Sequence, residues 1–139
     1  MRRLFPSYAE EEKAYYRRTR IYPIMHTVVI RRDIYERDPW VALNLYKAFS
    51  RSKEDCYNLL TETGSPKASF AWLQPMIEEE KAIFGRDWYP YGIEQNRPSI
   101  EALLQYTHEQ GLTARRVKLE ELFAPSTLRD IPLSEGQQV

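Results

Sequence analysis

The stretch at residues 24–30 reads Ile-Met-His-Thr-Val-Val-Ile, and this stretch decides which fold the sequence predicts. Its residues are mostly β-branched, and polar residues hardly alternate with apolar ones. That pattern is typical of a strand buried on both faces of a parallel or mixed sheet. Because a single strand is not stable without neighbours, we predict an α/β fold in which this strand pairs with others.

The rest of the chain supplies few candidates for those neighbouring strands. Residues 112–117 form one weak candidate, which Arg115 and Arg116 interrupt. The missing partners indicate either a fragment of a larger sheet protein or a chain that needs an obligate partner. Since an isolated strand exposes its unpaired edges, we also expect self-association through these edges.

Most of the remaining chain has the apolar spacing of helices. Ser7, Asp38 and Asn96 are expected N-caps, and Pro75 is expected to break or restart the third helix. On the second helix, an apolar stripe that includes Phe49, Cys56 and Leu59 should face the core, which makes Cys56 a core residue rather than a nucleophile. The expected helices cover about 8–18, 39–62, 67–84 and 97–110, with a short turn at 119–123.

The composition excludes several classes of protein. Twenty basic residues balance twenty acidic ones, so the chain lacks the basic excess of a general nucleic-acid binder. No apolar run reaches the length of a membrane span, and no apolar segment follows the first arginines as it would in a signal peptide. The sequence contains no P-loop, G-x-G-x-x-G, H-E-x-x-H or C-x-x-C motif, and we predict no metal site.

The candidate site residues lie in and around residues 24–30. His26 is an ionisable group in an apolar stretch, so it must either face a cavity or bond to a carbonyl within the core. Arg18, Arg31 and Arg32 bracket the stretch. Arginine holds carboxylates bidentately, although these side chains could instead pair with acidic neighbours. The chemistry therefore narrows to the binding of an anion, with one histidine as a proton or hydrogen-bond donor.

Long runs of the sequence resemble the 4,5-dihydroxyphthalate decarboxylase family. The runs are at residues 3–6, 15–19, 23–33, 39–40, 45–49, 87–92, 96–97, 108–112 and 120–127. Members of that family are more than twice as long and are similar to type 2 periplasmic binding proteins, with two α/β lobes around a cleft. The resemblance implies that residues 1–125 are the helix-rich C-terminal portion of such a protein, with few strands. Beyond Pro125 the sequence is polar and has no periodicity, so we expect residues 126–139 to form a flexible tail. Arg20 departs from the pattern, which has glycine after Thr19.

The resemblance also implies a function. The family name implies the conversion of 4,5-dihydroxyphthalate to 3,4-dihydroxybenzoate and CO₂, for which a route without an organic cofactor can be written. His26 would donate a proton to the ring, and Arg31, Arg32 and Arg18 would bind the substrate carboxylates. Such an enzyme would be cytoplasmic. The alternative is a non-catalytic, periplasmic binding protein that serves the uptake of an aromatic or other organic acid.

Overall fold

The computed structural model describes residues 3–62, 64, 68–129 and 131. Within these ranges every regular element is helical. The α-helices are α1 (Tyr8–Thr19), α2 (Arg32–Arg37), α3 (Trp40–Thr61), α4 (Leu73–Phe84) and α5 (Arg97–Glu109). Two 3-10 turns follow them, at Leu119–Glu121 and Pro125–Thr127.

The prediction of an α/β fold with a few strands is wrong for this part of the chain. Residues 24–30 have no regular secondary structure, and neither they nor residues 112–117 form a strand. Val28 is 65% exposed and Val29 is 88% exposed, so a segment expected inside a sheet lies at the surface. The propensity of β-branched residues for strands reflects packing on a pleated, half-buried surface, and the described residues provide no such surface.

Two further expectations depended on that strand. Since the described residues contain no strand, they have no strand edge through which the chain could self-associate. They also lack the sheet of the two-lobed architecture that the resemblance implied. Most of the tail predicted at 126–139 lies outside the described residues, so its flexibility stays a prediction.

The observed helices agree with the sequence-based predictions better than the predicted strand does. α1, α3 and α5 lie within two residues of their expected bounds, whereas α2 was not predicted. The expected start of the next helix, residue 67, lies outside the described residues, and α4 begins at Leu73. Pro75 therefore falls in the first turn of α4, where backbone N–H groups have no acceptor within the helix. Pro75 therefore lies near the start of this helix and does not break it.

The expected side-chain caps are not formed. Ser7 and Asn96 are N-cap residues, but neither side chain makes a capping hydrogen bond. Asp38 instead accepts a hydrogen bond from Arg37 Nε at 2.8 Å. At the other end of α1, Arg20 has φ 58° and ψ 18°, and its N–H donates to the carbonyl of Tyr16. This left-handed conformation favours glycine, the residue that the family pattern has at this position.

The main apolar core is small and lies near the C-terminal end of the described chain. Its buried members come from α5 and its flanking segments: Ile93, Ile100, Leu104 and Leu119. Beside this core, the Arg115 guanidinium donates two hydrogen bonds to the Glu121 carboxylate, at 2.9 and 2.5 Å. These bonds, together with one from the Lys118 backbone N–H, lower the pKa of Glu121 to about 2. The ion pair thus closes the turn that carries Leu119.

Much apolar surface is left uncovered. Among the described residues, six hydrophobic residues are buried and nineteen large hydrophobic side chains are exposed. Part of the predicted inward stripe of α3 is also uncovered: Phe49 is 47% exposed, Leu59 is 48% exposed and Cys56 is exposed, whereas Val41, Leu45 and Leu60 are half-buried. The prediction of Cys56 as a core residue is therefore wrong. The described part also contains no helix that is both long enough and apolar enough to cross a membrane.

Candidate functional site

The inward face of α3 carries polar and aromatic side chains. Tyr46, Ser50, Lys53 and Tyr57 follow one another at intervals of four, three and four residues, which places them on one side of a helix. Three of these side chains contact residues 87–92, which we call the aromatic loop. The candidate site is the region where α3 meets this loop.

Lys53 lies at the centre of the region, with a side chain only 9% exposed. Its ammonium donates to both carboxylate oxygens of Asp87, at 2.9 and 2.7 Å, and to the carbonyl of Tyr89 at 3.3 Å. It also lies 4.7 Å from the centroid of the Tyr91 ring and 5.5 Å from that of Tyr57. An ammonium has three N–H donors. The three bonds to Asp87 and Tyr89 use all of them, so Lys53 has no free donor for a ligand.

Tyr57 connects the same carboxylate to the loop backbone. Its hydroxyl donates to Asp87 Oδ1 at 3.0 Å and accepts the N–H of Tyr89 at 2.9 Å. The ring stacks on Trp88, with 3.9 Å between centroids and an interplanar angle of 19°. Burial, together with the negative charge of Asp87, raises the pKa of Tyr57 well above its ordinary value of 10.0. The phenol is therefore neutral at physiological pH and remains a hydrogen-bond donor.

The far end of the aromatic loop is held by two other contacts. Asn96 Nδ2 donates to the carbonyls of Pro90 and Gly92, at 2.9 and 2.8 Å. Gly92 has φ 92°, and a Cβ there would lie 3.1 Å from the hydroxyl of Tyr46. The backbone conformation favours glycine at this position, and the close approach leaves little room for a Cβ. The loop is thus anchored along its whole length to α3 and to the start of α5.

Two cavities flank Lys53. The polar cavity, of about 260 Å³, is lined by Tyr46, Ser50, Lys53, Glu54, Asp87, Tyr91, Gln95 and Ile131. The aromatic cavity, of about 350 Å³, is lined by Phe49, Ser52, Lys53, Cys56, Tyr57, Trp88, Tyr89 and Tyr91. Ser50 is 1% exposed, and its hydroxyl has no hydrogen-bond partner among the described residues. In the same part of the chain, no group of three or more His, Cys, Asp or Glu side chains could hold a metal ion.

The residues predicted from the sequence lie elsewhere. His26 is exposed and makes no hydrogen bond with the described residues, so it is not the carbonyl-bonded core histidine of the alternative interpretation. Arg31 pairs bidentately with Asp33, at 3.0 and 2.7 Å. Arg32 Nη1 lies 3.9 Å from Glu36 Oε1.

Arg18 has no carboxylate partner among the described residues, and its guanidinium lies 5.7 Å from the Tyr15 ring centroid. None of the four predicted residues, His26, Arg18, Arg31 and Arg32, lines either cavity.

Comparison with known proteins gives one informative similarity. No family model matches the chain. The 4,5-dihydroxyphthalate decarboxylase of Comamonas testosteroni is 29% identical to it over 130 residues, which are 94% of this chain and 39% of that protein. The chain therefore spans about two fifths of the length of this relative. The similarity supports a distant relationship with that protein.

Proposed function

We propose that the chain forms part of an enzyme that converts 4,5-dihydroxyphthalate to 3,4-dihydroxybenzoate and CO₂. The observation that carries this proposal is the similarity to a decarboxylase of that name across 94% of the chain. Because the chain spans 39% of that relative, the remaining residues of the site would come from polypeptide outside this sequence. The excess of exposed over buried large hydrophobic side chains in the described residues supports this view.

The reaction needs an electron source and a proton donor. The ring hydroxyl para to the departing carboxylate pushes electron density towards the carbon that bears this carboxylate. A general acid then protonates that carbon, the bond to the carboxylate breaks, and the bonding electrons return to the ring as CO₂ leaves. The second carboxylate stays on the product, and cationic side chains can bind to it. This route uses no organic cofactor.

We assign the proton transfer to His26 and the binding of carboxylates to the nearby arginines. The imidazole of His26 is exposed and has no hydrogen-bond partner among the described residues, so it is free to meet a substrate. The Arg31–Asp33 pair is also exposed, at 76% and 63% of the two side chains. Exposed ion pairs contribute about 1 kcal/mol or less, so a substrate carboxylate can displace Asp33. Arg18 would supply a second contact.

The proposal is tested in a chimera in which this chain replaces the matching 130 residues of the Comamonas testosteroni relative. We expect the purified chimera to release CO₂ and 3,4-dihydroxybenzoate in equal amounts. His26→Ala should lower kcat by about 100-fold or more, the usual contribution of a general acid. His108→Ala is the matched control, because His108 is also an exposed histidine, and this variant should keep full activity.

Three results would count against the proposal. Full turnover by the His26→Ala chimera would remove the proposed proton donor. An equal loss in the His108→Ala chimera would show that the loss is not specific to His26. Binding of 4,5-dihydroxyphthalate without release of CO₂, in a folded chimera, would favour the alternative of a non-catalytic binding protein.

A further inference from the structure

We propose that the polar cavity beside Lys53 binds the hydroxyl groups of a dihydroxylated aromatic ring and disfavours carboxylates. The site itself is inferred from the lining of the cavity, while the choice of such a ring as its ligand rests on the proposed function. The cavity would therefore recognise the end of the ring that bears the hydroxyls, a role separate from that of the arginines near residues 24–30.

The charges around the cavity oppose an anionic group. The lining contains one cation, Lys53, and two carboxylates, Asp87 and Glu54. Since the ammonium of Lys53 already bonds to Asp87 and to a backbone carbonyl, it offers no free donor. A ligand carboxylate would bring a third negative charge next to a cation that is already paired. Like charges in a partly buried site repel strongly, so the lining favours neutral ligands.

The hydrogen-bonding groups of the cavity suit hydroxyls. The carboxylates of Asp87 and Glu54 accept hydrogen bonds, and the amide of Gln95 and the hydroxyl of Ser50 can both donate and accept them. The Ser50 hydroxyl is buried and lacks a partner among the described residues. Buried polar groups in folded proteins nearly always have a partner. A hydroxyl group bound in the cavity would supply one.

The size and walls of the cavity suit a single aromatic ring. The volume of about 260 Å³ is slightly below the range of roughly 300–1,000 Å³ that is typical of pockets for drug-sized ligands. The side chains of Tyr46 and Tyr91 provide aromatic surface in the lining, and aromatic rings pack favourably against each other in offset or edge-to-face arrangements. A lining that combines hydrogen-bonding groups with two aromatic side chains therefore suits a catechol ring.

The test is an NMR titration of the 139-residue chain with catechol and, separately, with benzoate. We expect catechol to shift the backbone amide signals of Ser50 and Gln95, with a dissociation constant in the millimolar range, and benzoate to bind at least about 5-fold more weakly. Ser50→Ala should weaken catechol binding by about 2- to 10-fold, the usual effect of losing one hydrogen bond. Glu54→Gln should narrow the difference between catechol and benzoate.

Asp55→Asn is the matched control for Glu54→Gln. Asp55 is the next residue on α3, pairs with Arg51 at 3.6 Å, and does not line the cavity. This variant should bind both probes as the unchanged chain does. Both Glu54 and Asp55 are exposed, so neither substitution endangers folding, and the charge argument can be tested even if Ser50→Ala unfolds.

The proposal would be overturned if benzoate bound as tightly as catechol, or if catechol shifted no signal around the cavity. It would also be overturned if Glu54→Gln left the preference unchanged. Because binding is measured without turnover, a failure here leaves the release of CO₂ by the chimera untouched. Conversely, an inactive chimera would not decide whether the cavity binds catechol, because the NMR titration tests this binding separately.

Discussion

At the scale of single residues, the most constrained group is Lys53. Its ammonium lies under two tyrosine rings and bonds to Asp87 and the aromatic loop. Charged side chains are rarely buried unless they are paired. Here, the burial of Lys53 is possible because Asp87 neutralises it. The pair also holds the loop against α3, so the geometry of both cavities depends on it.

Lys53→Met tests this role. Methionine has a similar length but cannot bond to Asp87, whose carboxylate would keep, among the described residues, only the Tyr57 hydroxyl as a side-chain donor. We expect the free energy of unfolding to fall by about 2 to 3 kcal/mol, the range for hydrogen bonds to charged groups. Urea denaturation provides the measurement.

Lys47→Met is the control for this substitution, since Lys47 is an exposed lysine on the same helix. Its effect should stay within about 0.5 kcal/mol. Equal losses of stability in the two variants would contradict the role assigned to Lys53.

The pKa of Tyr57 leads to a second prediction. Because burial and the charge of Asp87 raise this pKa above 10.0 in the folded state, the unfolded chain releases the phenolic proton first as the pH rises. The stabilising contribution of the neutral phenol is therefore fully present below pH 10 and is lost progressively above it. The difference in unfolding free energy between the unchanged chain and Tyr57→Phe should shrink between pH 10 and pH 12. A difference that stays constant across this interval would contradict the raised pKa.

Residue types alone could not reveal this site. The aromatic loop was visible in the sequence as part of the family resemblance, but no local pattern connects Asp87 with Lys53, which lies 34 residues earlier. The inward face of α3 was predicted from an apolar stripe that includes Phe49 and Cys56, whereas the structure turns the neighbouring face, with Ser50 and Lys53, inward and exposes Cys56. Apolar periodicity cannot identify a face that is stabilised by a buried ion pair.

At the scale of elements, helices were predictable and the strand was not. The helices carry their own hydrogen bonds and their end signals within a few residues, which is why α1, α3 and α5 appear near their expected bounds. A strand depends on a neighbour that can be far away in the sequence or absent from it. Residues 24–30 have the composition of a strand, but the described residues offer them no partner.

The C-terminal end of α1 has a backbone conformation whose effect on stability can be measured. Arg20 has a positive φ of 58°, a conformation that is costly for residues with a Cβ. Arg20→Gly and Arg20→Ala both remove the guanidinium that lies 5.4 Å from the Tyr16 ring centroid, but only glycine relieves the backbone. The left-handed conformation costs a residue with a Cβ about 1 to 2 kcal/mol, and the greater backbone entropy of glycine offsets part of this gain. We therefore expect Arg20→Gly to be more stable than Arg20→Ala by about 0.5 to 1 kcal/mol in urea denaturation. The opposite order would contradict the left-handed cap.

At the scale of the whole molecule, the described residues leave much apolar surface uncovered. Exposed large hydrophobic side chains outnumber buried hydrophobic residues by nineteen to six among the described residues, and extended apolar patches on proteins mark interaction sites. The chain spans 39% of the length of its relative. If the chain forms part of the enzyme proposed above, we expect the rest of that enzyme to cover residues 24–30 and to leave His26 facing the substrate.

Amide hydrogen exchange of the peptide at residues 24–30 tests this claim most directly, in the chain alone and in the active chimera. Uncovered backbone without stable hydrogen bonds exchanges rapidly. In the isolated chain we predict exchange of this peptide at the earliest time points. In the chimera we predict exchange of this peptide slowed by at least about 100-fold. Strong protection already in the isolated chain, or no added protection in the chimera, would contradict the account.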